Sequence, residues 1–176
     1  MLRPATRGGP TRSLALLAFL IPLPFSLPRS TPRTDPTTWH LLAAGFQQRG
    51  VTVVESHPRC SERNLYGLYV RGRREVVVCA RGDRSLTLRH EGWHLVQSLC
   101  LMGTPWPPAA NPEARLSRTD RRELQLLVSP EQRQREAEAR LMAQLAPADY
   151  LHAMDQACAG RLPLGQPGEP SSARPD

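Results

Sequence analysis

His90-Glu91-Gly92-Trp93-His94 places two imidazoles four residues apart with a carboxylate directly after the first. On a helix, residues four apart stand on one face about a turn apart. Two imidazoles so placed can reach a single zinc ion at about 2.1 Å. Glu91 then falls where a carboxylate can take a proton from a water activated by that ion, so the spacing points to metal-assisted hydrolysis. The competing reading of these residues is a pair of surface histidines on an amphipathic helix. The other histidines do not extend the pattern: His40 and His57 read as structural or exposed.

A catalytic zinc needs three protein ligands and one open position. The third ligand must come from outside the motif, and the elements around it limit the choice. Asp83 or Ser85 caps a helix over about 85–101, on which Leu88, Leu95, Val96 and Leu99 lie near the histidine face. Upstream, Thr37 or Thr38 caps a helix to about Arg49, with Trp39, Leu42, Ala43 and Phe46 on one side, and Gly50 ends it. Val51–Glu55 is short and β-branched. Leu65–Arg71 and Glu75–Ala80 flank Gly72-Arg73 and read as a hairpin. Downstream, Gly103–Pro108 breaks the motif helix. Thr119-Asp120 caps a short helix to Val128, Ser129-Pro130-Glu131 starts another to about Ala146, and Pro147 begins a last one ending near Gly160. The expected architecture is α+β: an N-terminal helix, a small three-stranded antiparallel sheet, the motif helix and C-terminal helices.

The 176 residues give room for one domain with appended segments. Residues 1–30 carry Arg3, Arg7 and Arg12 ahead of an apolar run from Leu14 to Leu27, and read as a signal peptide or an uncleaved N-terminal anchor. Residues 31–36 form a linker, 37–160 the core domain, and 161–176 a Gly/Pro/Ser-rich tail expected to be disordered. Export, to a periplasmic or extracellular site, changes how Cys60, Cys79, Cys100 and Cys158 read: an even count in an oxidising compartment favours two disulfides. Cys60–Cys79 and Cys100–Cys158 are the pairs that tie neighbouring elements of this layout. A membrane contact is expected only if the N-terminal segment stays attached.

The net charge is +7, and every basic residue is arginine. Three of these charges, Arg3, Arg7 and Arg12, lie ahead of the N-terminal apolar run and the rest are scattered. No nucleic-acid module is visible and few aromatics are available for stacking, so a solvated basic surface is the reading and no nucleic-acid partner is expected.

H-E-x-x-H on a helix, followed by a helix carrying E-x-E-A-x-x-x-A (Glu136-Ala137-Glu138-Ala139-Arg140-Leu141-Met142-Ala143), resembles the gluzincin branch of the zincin metallopeptidases over roughly residues 50–146. The resemblance implies a minimal zincin-like core, a bound Zn2+, and Glu136, the first glutamate, as the ligand beside His90 and His94. Periodicity favours Glu138 instead, since it shares a face with Leu141, Met142 and Leu145, whereas Glu136 lines up with Ala139 and Ala143. Glu136 is taken as the third ligand, with Glu138 as the alternative and His152 and Asp155 as lesser candidates. One departure stands out. Gluzincins often carry Asp or Asn four residues after the ligand to hold a zinc histidine, and this chain has Arg140, which cannot accept a hydrogen bond. That role would pass to a backbone carbonyl or another carboxylate.

The resemblance implies a secreted zinc-dependent peptidase, with Glu91 as general base and a peptide or protein laid along a sheet edge. Tyr66, Tyr69 and Tyr150 are candidate oxyanion donors, and the Pro-rich loop with Trp106 is a candidate cleft border. The alternative is a non-enzymatic, disulfide-bonded secreted scaffold with a structural or vestigial zinc site. A basic binding module ranks behind both.

Overall fold

The computed structural model describes residues 35–106 and 111–159. The signal or anchor segment, most of the linker and the tail lie outside the described residues. Among those described are five α-helices and one three-stranded sheet. The α+β class and the element order agree with the sequence reading.

Helix α1 spans Pro36–Gln48 and is capped by Asp35, not by Thr37 or Thr38. Both Asp35 carboxylate oxygens accept from the backbone N–H groups of those threonines, and Pro36 fills a first-turn position that needs no donor. Strand β1, Thr52–Val54, follows at once. A 3-10 turn at Pro58–Ser61 then carries the chain to β2, Gly67–Tyr69, and β3, Glu75–Val78. The turn between β2 and β3 uses Gly72 at φ 78°, a backbone region that favours glycine.

The sheet is mixed, which corrects the antiparallel expectation. The strand order is β1-β3-β2, and β1 runs parallel to β3 with Val53 opposite Val76. β2 runs antiparallel to β3 with Leu68 opposite Val77. The chain leaves the top of β1, crosses over the position β3 will take, descends as β2 and returns up the middle. Parallel pairing thus arises without a crossover helix, because the hairpin itself makes the connection. Cys60–Cys79 pins the 3-10 turn to the end of β3.

Helix α2, Arg84–Leu99, is the spine of the domain. Asp83 caps it, its side chain accepting from Leu86 N–H at 2.9 Å. Leu88, Gly92, Leu95 and Val96 follow helical spacing on one buried face. Phe46 of α1 and Tyr150 both close in on Gly92. A Cβ built there would lie 2.3 Å from Phe46 Cζ and 2.8 Å from the Tyr150 hydroxyl, so the position admits glycine alone without repacking. Tyr150 donates to the Arg89 carbonyl at 2.8 Å and stacks on Phe46.

Three helices follow: α3, Arg118–Leu127, capped by Ser117 rather than Thr119 or Asp120; α4, Pro130–Ala143; and α5, Pro147–Ala157. Cys100–Cys158 joins the C-terminal end of α2 to that of α5. Arg49 clamps the other side of α5 through two 2.6 Å bonds to Asp155, which uses that carboxylate as a structural partner. The main core gathers α1, α2, α4, α5 and the inner sheet face. A smaller one of Leu116, Leu124 and Ala137 holds α3 on α4. Two disulfides point to an oxidising environment, extracellular or periplasmic. Among the described residues, no helix is long and apolar enough to cross a membrane.

Candidate metal centre

Helix α4 packs across α2 and brings Glu136 to the two motif histidines. Its Oε1 lies 3.5 Å from His90 Nε2 and its Oε2 3.2 Å from His94 Nε2. Ligand atoms about 2.1 Å from a tetrahedral zinc sit roughly 3.4 Å from one another. The spacing therefore fits the ion, and the donor set of two imidazoles and one carboxylate suits it chemically. Among the described residues, His90, His94 and Glu136 form the one cluster able to hold a metal ion. The short Ala139 and Ala143 side chains, both buried on α4, permit the close helix approach that this reach requires.

Glu138 points inward, as its periodicity indicates, but not to the histidines. It is 5% exposed and accepts from three N–H donors: Trp93 Nε1 at 2.7 Å, Gln97 Nε2 at 3.2 Å and Trp106 N at 2.9 Å. These three bonds fasten α4 to α2 and to the loop that follows α2. His152 is exposed and contacts Gln156, and Asp155 is held by Arg49, so neither reaches the cluster.

The residue left open by Arg140 is also accounted for. Arg140 Nε donates to Glu136 Oε1 at 3.1 Å, so it steadies the carboxylate rather than a histidine. The acceptor beside His94 Nδ1 is Gln97 Oε1, at 2.9 Å. Gln97 was not singled out from the sequence, although its place three residues after His94 on the same helix puts it within reach.

Glu91 turns toward the sheet, where its Oε2 accepts from Tyr69 N–H at 3.1 Å. Glu91 and Glu136 both border two adjoining cavities. One, of about 730 Å³, reaches past His90 toward Leu65 and Gly67; the other, of about 270 Å³, reaches past His94 toward Arg71 and Arg135. The cluster thus lies between two adjoining cavities, which together form the candidate cleft. Of the tyrosines, Tyr66 lines the larger cavity, Tyr69 lines the smaller one while its hydroxyl accepts from Gly72 N–H, and Tyr150 is buried against Arg89. Trp106 packs on the core rather than bordering the cleft.

Electrostatics divide the four titratable groups. Burial pushes His90 down to about 4, against the pull of Glu136 and with repulsion from His94 and Arg140. Glu136 is held near 2: burial works against its charge, but the His94 hydrogen bond and the attraction of both histidines and Arg140 prevail. Burial also opposes a charge on His94, yet hydrogen bonds to Glu136 and Gln97 and the charge of Glu91 raise its pKa above the ordinary value. Glu91 is raised, chiefly by burial, with Glu136 adding repulsion while His94 and the Tyr69 N–H oppose.

A metal entering this cluster near neutral pH meets a neutral His90 and an ionised Glu136, so the proton it must displace is the one on His94. Apparent affinity is expected to rise about tenfold per pH unit up to the His94 pKa and to level off above it. Calorimetry in buffers of different ionisation heat at about pH 6 should count about one proton released per ion bound. Two protons released by wild type and by Glu91→Gln alike would show that His90 is not held neutral.

No family model, no curated protein and no solved structure matches the chain. The chemistry therefore rests on the geometry of these residues.

Proposed function

We propose that this protein is an exported zinc-dependent metallopeptidase, with His90, His94 and Glu136 as ligands and Glu91 as general base. The observation that carries the reading is a three-ligand cluster that opens into a cleft. Structural zinc sites are usually closed by four protein ligands, whereas catalytic ones keep a position for water. The residues that would close this one are committed elsewhere: Glu138 to Trp93, Gln97 and Trp106, and His152 to the far surface. A two-His, one-Glu set is a catalytic donor set.

When bound, zinc supplies the Lewis acidity that lowers the pKa of an attacking water and polarises a scissile carbonyl. Glu91 accepts the proton from that water and delivers it to the departing amine. Its carboxylate lies beside the ligand cluster and borders both cavities. The Tyr69 N–H fixes the orientation of the carboxylate.

Strand β2 supports a peptide as the substrate. It is an edge strand, and Tyr66 and Val70 bond to β3. By antiparallel alternation the backbone groups of Gly67 and Tyr69 face away from β3. Tyr69 N–H serves Glu91, and Gly67 lines the larger cavity. A Cβ at Gly67 would lie 2.6 Å from Thr87 Cγ2 and 2.7 Å from the Val77 carbonyl, so glycine lets the strand lie close against α2. An extended peptide added at this edge would pass the metal.

The test is hydrolysis of a quenched-fluorescent peptide library by the oxidised full chain. Activity should be abolished by chelation and restored by about one equivalent of Zn2+ per chain. Hydrolysis that survives complete metal removal would contradict the reading, as would a zinc-loaded protein that cleaves no peptide.

A further inference from the structure

We infer that Gln97, locked from behind by Arg135 and Glu138, is the positioning residue that holds His94 with its proton on Nδ1 and its Nε2 lone pair toward the metal. The inference rests on the metal centre proposed above, and its logic is one of donors and acceptors. Gln97 Oε1 lies 2.9 Å from His94 Nδ1 and 3.1 Å from Arg135 Nε. Gln97 Nε2 lies 2.9 Å from the Arg135 carbonyl and 3.2 Å from Glu138 Oε1.

An isolated glutamine amide can be turned either way, because its oxygen and nitrogen are nearly the same size. Here the partners decide. The Arg135 guanidinium can only donate, so the atom facing it is the amide oxygen. The Arg135 carbonyl can only accept, so the atom facing it is the amide nitrogen. With Oε1 thus placed against His94, the hydrogen bond requires the imidazole to donate from Nδ1. The other ring nitrogen, 3.2 Å from Glu136 Oε2, is the one that gives up its proton to the incoming ion.

The support is buried and doubly anchored. Gln97 and Glu138 are each 5% exposed. The carboxylate that holds Gln97 also receives Trp93 Nε1–H from α2 and the Trp106 N–H from the next loop. Arg135 adds a bond to the His94 carbonyl at 3.2 Å. One turn of α4 therefore does two jobs: Glu136 meets the face of His94 turned to the ion, and Arg135 with Glu138 secures the group behind it. In this chain the role that Arg140 cannot perform falls to an amide on the motif helix itself.

The experiment compares wild type with Gln97→Met, which keeps length and removes both polar atoms. Two readouts are taken on the oxidised full chain. Long-range nitrogen–proton NMR of histidine-labelled, Zn2+-loaded protein reports which His94 nitrogen carries the proton and how slowly that proton exchanges with water. Competition with a chromophoric chelator reports Zn2+ affinity. The expected result is a slowly exchanging Nδ1–H in wild type that exchanges freely in Gln97→Met, with a fall in zinc affinity of about 10- to 100-fold. Thermal unfolding of the metal-free variant, with both disulfides intact, shows whether it is folded. If Gln97→Met unfolds, Gln97→Leu and Gln97→Ala take its place in both readouts, and the wild-type tautomer already decides the orientation. An Nε2–H tautomer in wild type, or unchanged exchange and affinity in a folded variant, would overturn the inference. A folded wild type that binds no zinc would instead overturn the metal centre, and with it the role given to Gln97.

Discussion

Glu91→Gln is expected to lower peptide hydrolysis by about 10²- to 10⁴-fold while leaving about one zinc per chain. The substitution keeps shape and an oxygen able to accept from Tyr69 N–H, so the side chain should stay against β2. What it removes is the capacity to take a proton. The ligand cluster of His90, His94 and Glu136 does not include Glu91, so metal content should be unchanged. The check pairs steady-state kinetics with elemental analysis on the same preparation. Full activity in the variant would move the base elsewhere, and loss of the metal would make Glu91 a ligand.

The second large effect lies in the covalent frame. Replacing Cys100 and Cys158 together by alanine should cost about 4 kcal/mol, from the chain entropy released when a loop of 58 residues is no longer closed. For a domain whose whole stability is on the order of 5–15 kcal/mol, that is a large share. The melting temperature should fall by roughly 10–20 °C. The consequence reaches the site, because α5 carries Tyr150, which packs beneath Gly92 and bonds the Arg89 carbonyl. A freed α5 takes that support from the central turn of the motif helix. The measurement is urea or thermal unfolding of the double variant beside wild type. A loss below about 1 kcal/mol would mean that the Arg49–Asp155 clamp and the core hold α5 without the bridge.

Much of this arrangement can be read from residue types. Asp83 ahead of an apolar-periodic run marks the start of α2, and Ser129-Pro130 the start of α4. Gly72 marks the β2–β3 turn. Strand direction is another matter. Three β-branched or apolar residues in β1 carry no signal of their pairing partner, and the parallel register follows from where the chain travels between Val54 and Gly67. The first helix cap moved to Asp35 because an aspartate two residues before Thr37 can satisfy both threonine amides at once.

The two glutamates of α4 show the limit most clearly. Periodicity reports burial, and Glu138 is indeed the more buried of the pair. Burial alone does not say which donors wait inside. Trp93, Gln97 and Trp106 are scattered over fourteen positions, and only the packed helices reveal that all three converge on Glu138. Glu136, set among small alanines, stays at the cleft surface, where a ligand with an open coordination position has to be. Gln97 went unread for a related reason: its meaning comes from Arg135 and Glu138, which stand 38 and 41 positions away.

The central claim is a single metal held by His90, His94 and Glu136, and elemental analysis of the oxidised, folded protein tests it most directly. About one zinc per chain is expected in wild type, with the metal lost in His90→Ala and in Glu136→Ala. A folded wild type with both disulfides formed and no zinc at saturating metal would contradict the account, as would a Glu136→Ala variant that keeps its full complement.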